Sequence, residues 1–301
     1  MYLTGFADEA SPSFEMQVKA TRALGWKNIE ARHLYGGNLA SITDEQFEEL
    51  QRLLAENDVK INCYGSAIAN WSHPITEEAE SSYEEFRKAI PRMQKLGTKM
   101  VRIMSFAVPN ELKPKSWDFK DEVVKRVTNI VKMAEDAGIL CLHENCMNWG
   151  GLSYEHTLYL LDHIKSDAFR LVFDTGNPVF NLDWSKNGAG EKMQSSWEYY
   201  KNVREFISYI HIKDGTYSQE EKVCYYSFAG KGDGNVKEIL ADLYKTGYDG
   251  GISIEPHVAT VFHENENTED PELQAVRRYD TYISYGKELE ALVREAGFRP
   301  E

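Results

Sequence analysis

The stretch Ile139-Leu-Cys-Leu-His-Glu-Asn145 has the composition of a buried β-strand that runs into three polar side chains. A His, a Glu and an Asn are unusual at the end of an apolar strand, because burying a polar or charged group costs free energy unless it is bonded. The stretch therefore indicates a strand whose end serves a function.

Three later stretches repeat this arrangement, each carrying an Asp, a His or a Glu at or near its carboxyl end. They are Arg170-Leu-Val-Phe-Asp-Thr-Gly-Asn-Pro178, Tyr209-Ile-His-Ile-Lys-Asp214 and Gly251-Ile-Ser-Ile-Glu-Pro-His257. Together the four strands predict one shared metal site, to which they contribute Glu144, Asp174, His211 and Glu255.

The order of elements predicts an α/β fold, a (β/α)₈ barrel. Eight short apolar runs alternate with segments of helical periodicity, as expected for a parallel sheet covered by helices. A doubly wound sheet is the competing architecture. The repeated polar strand ends favour the barrel, which gathers functional groups at the carboxyl ends of its strands. No composition shift divides the chain, so residues 1–301 are interpreted as one domain.

Charge and composition exclude several classes of function. Lys plus Arg number 34 and Asp plus Glu 48, a net charge of −14 that opposes binding to nucleic acid and to anionic membranes. No run of 18 apolar residues suggests a membrane span, and no signal peptide is recognised. The four cysteines form no CxxC pair, which favours reduced thiols and a cytoplasmic protein.

Three carboxylates and one imidazole suit a divalent cation. We expect Mn²⁺, with Mg²⁺, Co²⁺, Fe²⁺ or Zn²⁺ as alternatives. Each residue alone could equally be a salt-bridge partner or a core histidine, but equivalent positions on four strands favour a common ligand set. A dication can polarise a carbonyl and stabilise an enediolate, while Glu144 or Glu255 takes the neighbouring proton. Two bases on opposite faces would give epimerisation, and one base would give isomerisation.

Over nearly its whole length the chain resembles the sugar phosphate isomerase/epimerase group of xylose-isomerase-like, AP-endonuclease-family-2 barrels. The resemblance implies metal ligation by the same four residues and acid/base roles for Glu144 and Glu255. The motifs that carry it are Phe6-Ala-Asp-Glu-Ala-Ser11, Leu142-His-Glu-Asn145, Phe173-Asp-Thr-Gly-Asn177, His211-Ile-Lys-Asp214, Gly230-Lys-Gly-Asp-Gly234 and Gly247-Tyr-Asp-Gly-Gly-Ile-Ser-Ile-Glu-Pro-His257.

The chain departs from that family at two places. Many members carry a His three residues after the strand-six Asp, where this chain has Asn177, so a role given to that His does not transfer. The family's DNA-repair endonucleases use several more histidines, and Ile61-Asn-Cys-Tyr-Gly-Ser66 offers no such ligand. Together with the net charge, this argues against a nuclease.

His143 directly precedes a predicted ligand, where many epimerases have an apolar residue. In a regular strand it would point into the layer between barrel and helices and make a structural hydrogen bond. If the strand end twists, it would reach the site as an extra base. The His-Glu-Asn stretch is also similar to the larger subunit of C-glycoside deglycosidases, which cleave 3-keto-glycosides by elimination and usually pair with a small β-rich subunit. That lyase is the alternative function, and such a subunit or a homo-oligomer is the alternative to a monomer.

Eight further polar or aromatic residues are candidates for binding a sugar substrate. Glu30 and Arg32 could bind hydroxyls or form a salt bridge between strands, and Arg102 needs a partner in mid-strand. Trp71 and His73 occupy the long loop after the third strand, either as a lid or as a packed loop.

The remaining candidates, Asn177, Lys213 and His257, lie beside predicted ligands. Lys213 and His257 could instead support those ligands from behind. The glycine-rich residues 230–234 are compatible with a phosphate, although one such turn is a weak indication. A non-enzymatic barrel whose metal site is structural or lost is the third alternative.

Overall fold

The computed structural model describes residues 1–259 and 270–300. Eight parallel strands form one sheet in the order β1-β10-β7-β6-β5-β4-β3-β2. A parallel bridge between Phe6 and Glu30 joins its two ends, which closes the sheet into a barrel. The predicted (β/α)₈ barrel is confirmed, and the doubly wound alternative is wrong. The barrel strands are β1 (Tyr2–Gly5), β2 (Asn28–Ala31), β3 (Lys60–Gly65), β4 (Met100–Ile103), β5 (Leu140–Glu144), β6 (Phe169–Asp174), β7 (Ile207–Ile212) and β10 (Gly251–Ile254).

Helices cover the outside of the barrel. Several begin and end where their sequences predict: Thr43 and Gln46 form a capping box at the start of α2, and Gly97 and Gly138 adopt the left-handed C-cap conformation after α3 and α4. Pro91 neither starts nor ends α3, which runs through it. The helices are α1 (Phe14–Ala23), α2 (Asp44–Asn57), α3 (Glu80–Leu96), α4 (Lys120–Ala137), α5 (Tyr154–His163), α6 (Asn177–Phe180), α7 (Ser196–Val203), α8 (Val236–Lys245) and α9 (Pro271–Glu295).

The two-residue period of the strands separates two layers of side chains. Buried Cys63, Leu142, Val172 and Tyr209 pack against one another inside the barrel. The alternate positions, such as Cys141, join the large core between strands and helices. The same alternation continues along β5. After Cys141 and Leu142, His143 points outward and Glu144 points into the barrel.

An antiparallel hairpin, β8 (Asp214–Ser218) and β9 (Val223–Ser227), follows β7 and was not predicted. Its strands are five residues long and only partly buried, so they lack the apolar run that marks the barrel strands. The hairpin projects from the carboxyl end of β7, so its residues stand over the end of the barrel where the polar side chains collect. Of the helices in the described ranges, none has the length and apolar character needed to cross a bilayer.

Candidate metal and active site

The four predicted ligands meet at the carboxyl end of the barrel. Glu144 and Asp174 end β5 and β6, His211 lies in β7, and Glu255 follows β10. One ligand atom from each lies within 4.8 Å of the others, and all four residues are buried. The register of the sheet accounts for part of this, because Asp174 and Ser253 both pair with His211 on neighbouring strands.

Glu30 fixes the orientation of the His211 ring. The His211 Nε2 lies 3.0 Å from Glu30 Oε2, and Ser253 Oγ donates to the same oxygen at 2.7 Å. The other ring nitrogen, Nδ1, makes no hydrogen bond within the described residues and lies 3.5 Å from Glu144 Oε1. The ring therefore turns one nitrogen to the cluster and the other to a buried carboxylate, the usual arrangement of a metal-binding histidine.

The charges around His211 set its protonation. Burial alone would lower the pKa of His211, but Glu30 and Glu144 outweigh burial and raise the pKa to about 10. Without a cation the ring is therefore protonated at neutral pH. Since a metal-binding imidazole must be neutral, cation binding would release a proton here.

Asp174 presents one oxygen to the cluster. Its Oδ1 accepts hydrogen bonds from the backbone amides of Gly176 at 2.8 Å and Asn177 at 2.6 Å. Asn145 bonds both the amide and the carbonyl of Asp174, which ties the ends of β5 and β6 together. Oδ2 thus remains for a cation. Burial raises the pKa of Asp174 to about 6.

Three cations of the chain contact the cluster. Arg102 donates to Glu144 Oε2 at 2.8 Å, Arg32 donates to Glu255 Oε1 at 2.7 Å, and the Lys213 ammonium lies 3.0 Å from both Asp174 Oδ2 and Glu255 Oε2. They overcome the effect of burial, so the pKa values of Glu144 and Glu255 fall below their usual range. Each of the three carboxylates therefore already has a cationic neighbour.

Two acidic residues after β1 complete the site, and sequence reasoning gave them no role. Asp8 accepts from Arg32 Nε at 2.9 Å, and Glu9 Oε2 accepts from the backbone amide of His257 at 2.8 Å. His257 adopts a left-handed backbone conformation, φ 53°, which is strained for a residue with a side chain. The available signal was the occurrence of acidic residues soon after a short apolar strand, similar to the acid that ends β5.

A cavity of about 630 Å³ opens above the cluster. Glu144 and Glu255 line it, whereas Asp174 and His211 lie beneath its wall. Of the eight predicted substrate-binding residues, six also line it: Arg32, Trp71, Arg102, Asn177, Lys213 and His257. Asn177 in addition donates to Glu144 Oε1 at 3.1 Å.

Besides Asp174 and His211, three predicted site residues lie off the cavity wall. Glu30 is buried beneath His211, so it positions that ring and does not face a substrate. His73 bonds Ser81 Oγ at 3.2 Å on the outer loop. His143 points into the barrel–helix layer, as an outward-facing strand residue must.

His143 is fully buried there. Its Nε2 lies 3.0 Å from Ser105 Oγ and 3.2 Å from Asn148 Oδ1. A Cβ at Gly150 would lie 2.5 Å from the His143 ring, so the neighbouring loop packs directly against it. Burial lowers the pKa of His143 to about 4. Of the two expectations for His143, these contacts confirm the structural hydrogen bond. The end of β5 does not twist, so the ring stays outside the cavity.

The glycine-rich loop is filled by the chain itself. The buried Asp214 carboxylate accepts from the amides of Gly215, Gly230, Gly232 and Gly234 at 2.8–3.1 Å. The amides of Gly230, Gly232 and Gly234 are the donors that made residues 230–234 compatible with a phosphate. Since an internal carboxylate occupies them, the loop holds the hairpin to the barrel and does not offer an anion site.

The mouth of the cavity is apolar. Trp71 and Met147, in the loops after β3 and β5, are each exposed to 48%, and Val223, the first residue of β9, is exposed to 41%. Large apolar side chains gathered at the edge of a polar cavity are typical of ligand sites. The cavity thus has a charged floor and an apolar mouth.

The fold of the chain is similar to that of several solved TIM barrel proteins. A xylose isomerase-like TIM barrel protein from Mycobacterium smegmatis, solved with magnesium, has 17% identity over 93% of this chain and 89% of its own, with a TM-score of 0.64. D-allulose 3-epimerase from Methylomonas sp. in complex with D-allulose has 16% identity over 97% and 96%, with a TM-score of 0.66.

A D-psicose 3-epimerase from Clostridium cellulolyticum H10, solved with D-tagatose, has 14% identity over 96% of this chain and 99% of its own, with a TM-score of 0.64. At these identities the likeness concerns the fold. An uncharacterised protein of Methanocaldococcus jannaschii is 28% identical over 175 residues, and the match spans 55% of that relative's length. Residues 18–279 match the profile of one family over most of the chain, and the chain therefore belongs to the xylose isomerase-like TIM barrel family.

Proposed function

We propose that the protein is a divalent-metal-dependent isomerase or epimerase of a keto-sugar or its derivative. The observation that carries the proposal is the convergence of Glu144, Asp174, His211 and Glu255 at the floor of a cavity that Glu144 and Glu255 also line. Structural neighbours solved with D-allulose and with D-tagatose support a ketose as the substrate class. Magnesium in another neighbour supports a dication. Mn²⁺ is our first choice, because oxygen-rich ligation with one imidazole suits it.

The residues present fit a bound cation. His211 turns an unbonded ring nitrogen toward the carboxylates, and Asp174 is fixed through one oxygen so that the other faces the cluster. Glu144, Asp174, His211 and Glu255 would hold the ion. When bound, such an ion supplies polarisation of a carbonyl and stabilisation of an enediolate.

Glu144 and Glu255 are the proposed acid/base pair. Their low pKa values keep both ionised at neutral pH, as a base that accepts the α-proton must be. They come from β5 and β10, which are separated by two strands in the sheet, so they can approach a flat enediolate from different sides. Arg102, Asn177 and His257 on the cavity wall would orient substrate oxygens.

The lyase alternative needs a second base at the cavity. His143 was the candidate for that base, but its ring is enclosed by Ser105, Asn148 and Gly150 outside the cavity. We therefore assign His143 a positioning role and do not propose the lyase.

The proposal is tested by NMR in D₂O with a panel of ketoses. Protein stripped by a chelator is reconstituted with Mn²⁺, Mg²⁺ or Co²⁺. We expect deuterium at a carbon beside the carbonyl, with the sugar intact, and loss of exchange in Glu144→Gln and Glu255→Gln. Glu238→Gln, an exposed carboxylate on α8, is the matched control. Full exchange in either of the first two variants would overturn the mechanism.

A further inference from the structure

Lys213 lies on the same inward-facing side of the chain as His211, two residues after it. The side chain is 5% exposed, and its ammonium lies 3.0 Å from Asp174 Oδ2 and 3.0 Å from Glu255 Oε2. Gly176 leaves room for its aliphatic part, since a Cβ there would lie 2.8 Å from Lys213 Cγ. Lys213 is thus a buried residue at the floor of the cavity.

The two oxygens that Lys213 contacts are those that other groups leave available. Asp174 Oδ1 accepts from the amides of Gly176 and Asn177, so Oδ2 is left. Glu255 Oε1 accepts from Arg32, so Oε2 is left. The ammonium therefore lies where the available oxygens of two proposed metal ligands converge.

An ammonium and a dication compete for these oxygens. Each cation repels the other at short range, and a buried site of low dielectric screens that repulsion poorly. Asp174 and Glu255 would hold the ion through oxygens that the ammonium already contacts at 3.0 Å. Binding of the ion would therefore displace Lys213, and the open space beside it is the cavity, which it lines.

We propose that Lys213 is a resident counter-ion of the metal site. In the metal-free protein it neutralises Asp174 and Glu255, because buried carboxylates without a cation would destabilise the fold. When a dication binds, the ammonium gives up both oxygens and turns into the cavity, where it can donate to a substrate oxygen. The proposal rests on the proposed metal-dependent function.

This exchange links metal loading to the proposed base. In the metal-free protein the Lys213 ammonium donates to Glu255 Oε2 at 3.0 Å. When metal binding breaks this contact, Glu255 would exchange the ammonium for the ion as its partner.

The test is the affinity of chelator-stripped protein for Mn²⁺ and Mg²⁺, measured by isothermal titration calorimetry at constant pH and salt. Lys213→Met keeps the length of the side chain and removes its charge, so we expect it to bind the ion about tenfold more tightly, or more. Lys222→Met is the matched control, because Lys222 lines the same cavity in the turn between β8 and β9. It should change the affinity by less than about twofold, since its charge is exposed and screened by salt.

A second variant and a second measurement keep the test decisive if Lys213→Met folds poorly without metal. Lys213→Arg keeps the charge and should not tighten metal binding. The melting temperature of metal-free Lys213→Met should lie below that of the wild type and should rise further on saturation with Mn²⁺. Equal or weaker metal binding by Lys213→Met would overturn the counter-ion proposal and leave the proposed function standing. Absence of metal binding by both wild type and variant would overturn both.

Discussion

His211 Nε2 and Glu30 Oε2, residues 181 positions apart in the chain, lie 3.0 Å from each other inside the barrel. Glu30 belongs to β2 and His211 to β7, so the contact crosses the interior. It fixes the ring so that Nδ1 faces Glu144 and Glu255. The orientation of the only imidazole in the proposed ligand set thus depends on a carboxylate that does not itself face the cavity.

Glu30→Gln should weaken binding of Mn²⁺ by about 10- to 100-fold, the effect that loss of a partner behind a metal-binding histidine usually has. The amide can still accept a hydrogen bond from Nε2, but it removes the negative charge that makes the imidazole a better ligand. Calorimetric titration with Mn²⁺ measures the change. Glu85→Gln is the control, because Glu85 accepts from Tyr64 and from the Ala67 amide, outside the cluster. Unchanged affinity in Glu30→Gln would contradict the assignment.

His143→Gln should retain isotope exchange within about fivefold of the wild type. Removal of a general base would instead cost about 100- to 10,000-fold. Glutamine can keep a hydrogen bond to Ser105 while it removes the imidazole. Exchange is measured by NMR under saturating substrate and Mn²⁺. A loss as large as that in Glu144→Gln would restore His143 as a catalytic base.

His156 should make the protein less stable in acid. Its ring is buried between Ser153 and Ser116 and stacks on Trp117. Burial lowers its pKa to about 3, whereas an unfolded histidine has a pKa near 6.5. Between these values the unfolded chain binds a proton that the folded chain does not. The free energy of unfolding therefore falls as pH decreases from about 6.5 to 3, by about 1.4 kcal/mol per unit for this one ring.

Urea denaturation at pH 7.5, 6 and 5 measures this slope. His156→Gln should lose stability at pH 7.5 yet show a shallower decline toward pH 5, because the ionisable ring is gone. His163→Gln, exposed at the end of the same helix, serves as the control and should keep the wild-type slope. Parallel profiles for wild type and His156→Gln would contradict the prediction.

Asp214→Asn should lower the free energy of unfolding by about 2 kcal/mol or more. Each Asp214 oxygen accepts two glycine amides, and an NH₂ group in place of one oxygen leaves two donors unbonded at about 1–3 kcal/mol each. Urea denaturation at neutral pH measures the loss. Asp233→Asn changes an exposed carboxylate in the same loop and should be nearly neutral. Equal stability of the two variants would show that the loop does not depend on Asp214.

The local sequence pattern was sufficient to predict the barrel architecture and to identify the residues of the central cluster. Apolar runs and helical segments alternate along the chain, and parallel strands in a barrel bring their carboxyl ends to one face. The two-residue period then places Glu144 inward and His143 outward. The hairpin β8–β9 lacked such a pattern, because its strands are only partly buried and carry no apolar run.

The sequence by itself determined which strand ends carry carboxylates and an imidazole, because that depends on order and periodicity along one strand. Only the tertiary structure decided how those groups are paired: Glu30 behind His211, Lys213 on Asp174 and Glu255, and Asp214 within the glycine loop. These contacts join residues 16 to 181 positions apart. They follow from the stagger of the closed barrel and from side-chain conformation, neither of which is encoded in the period of a single strand.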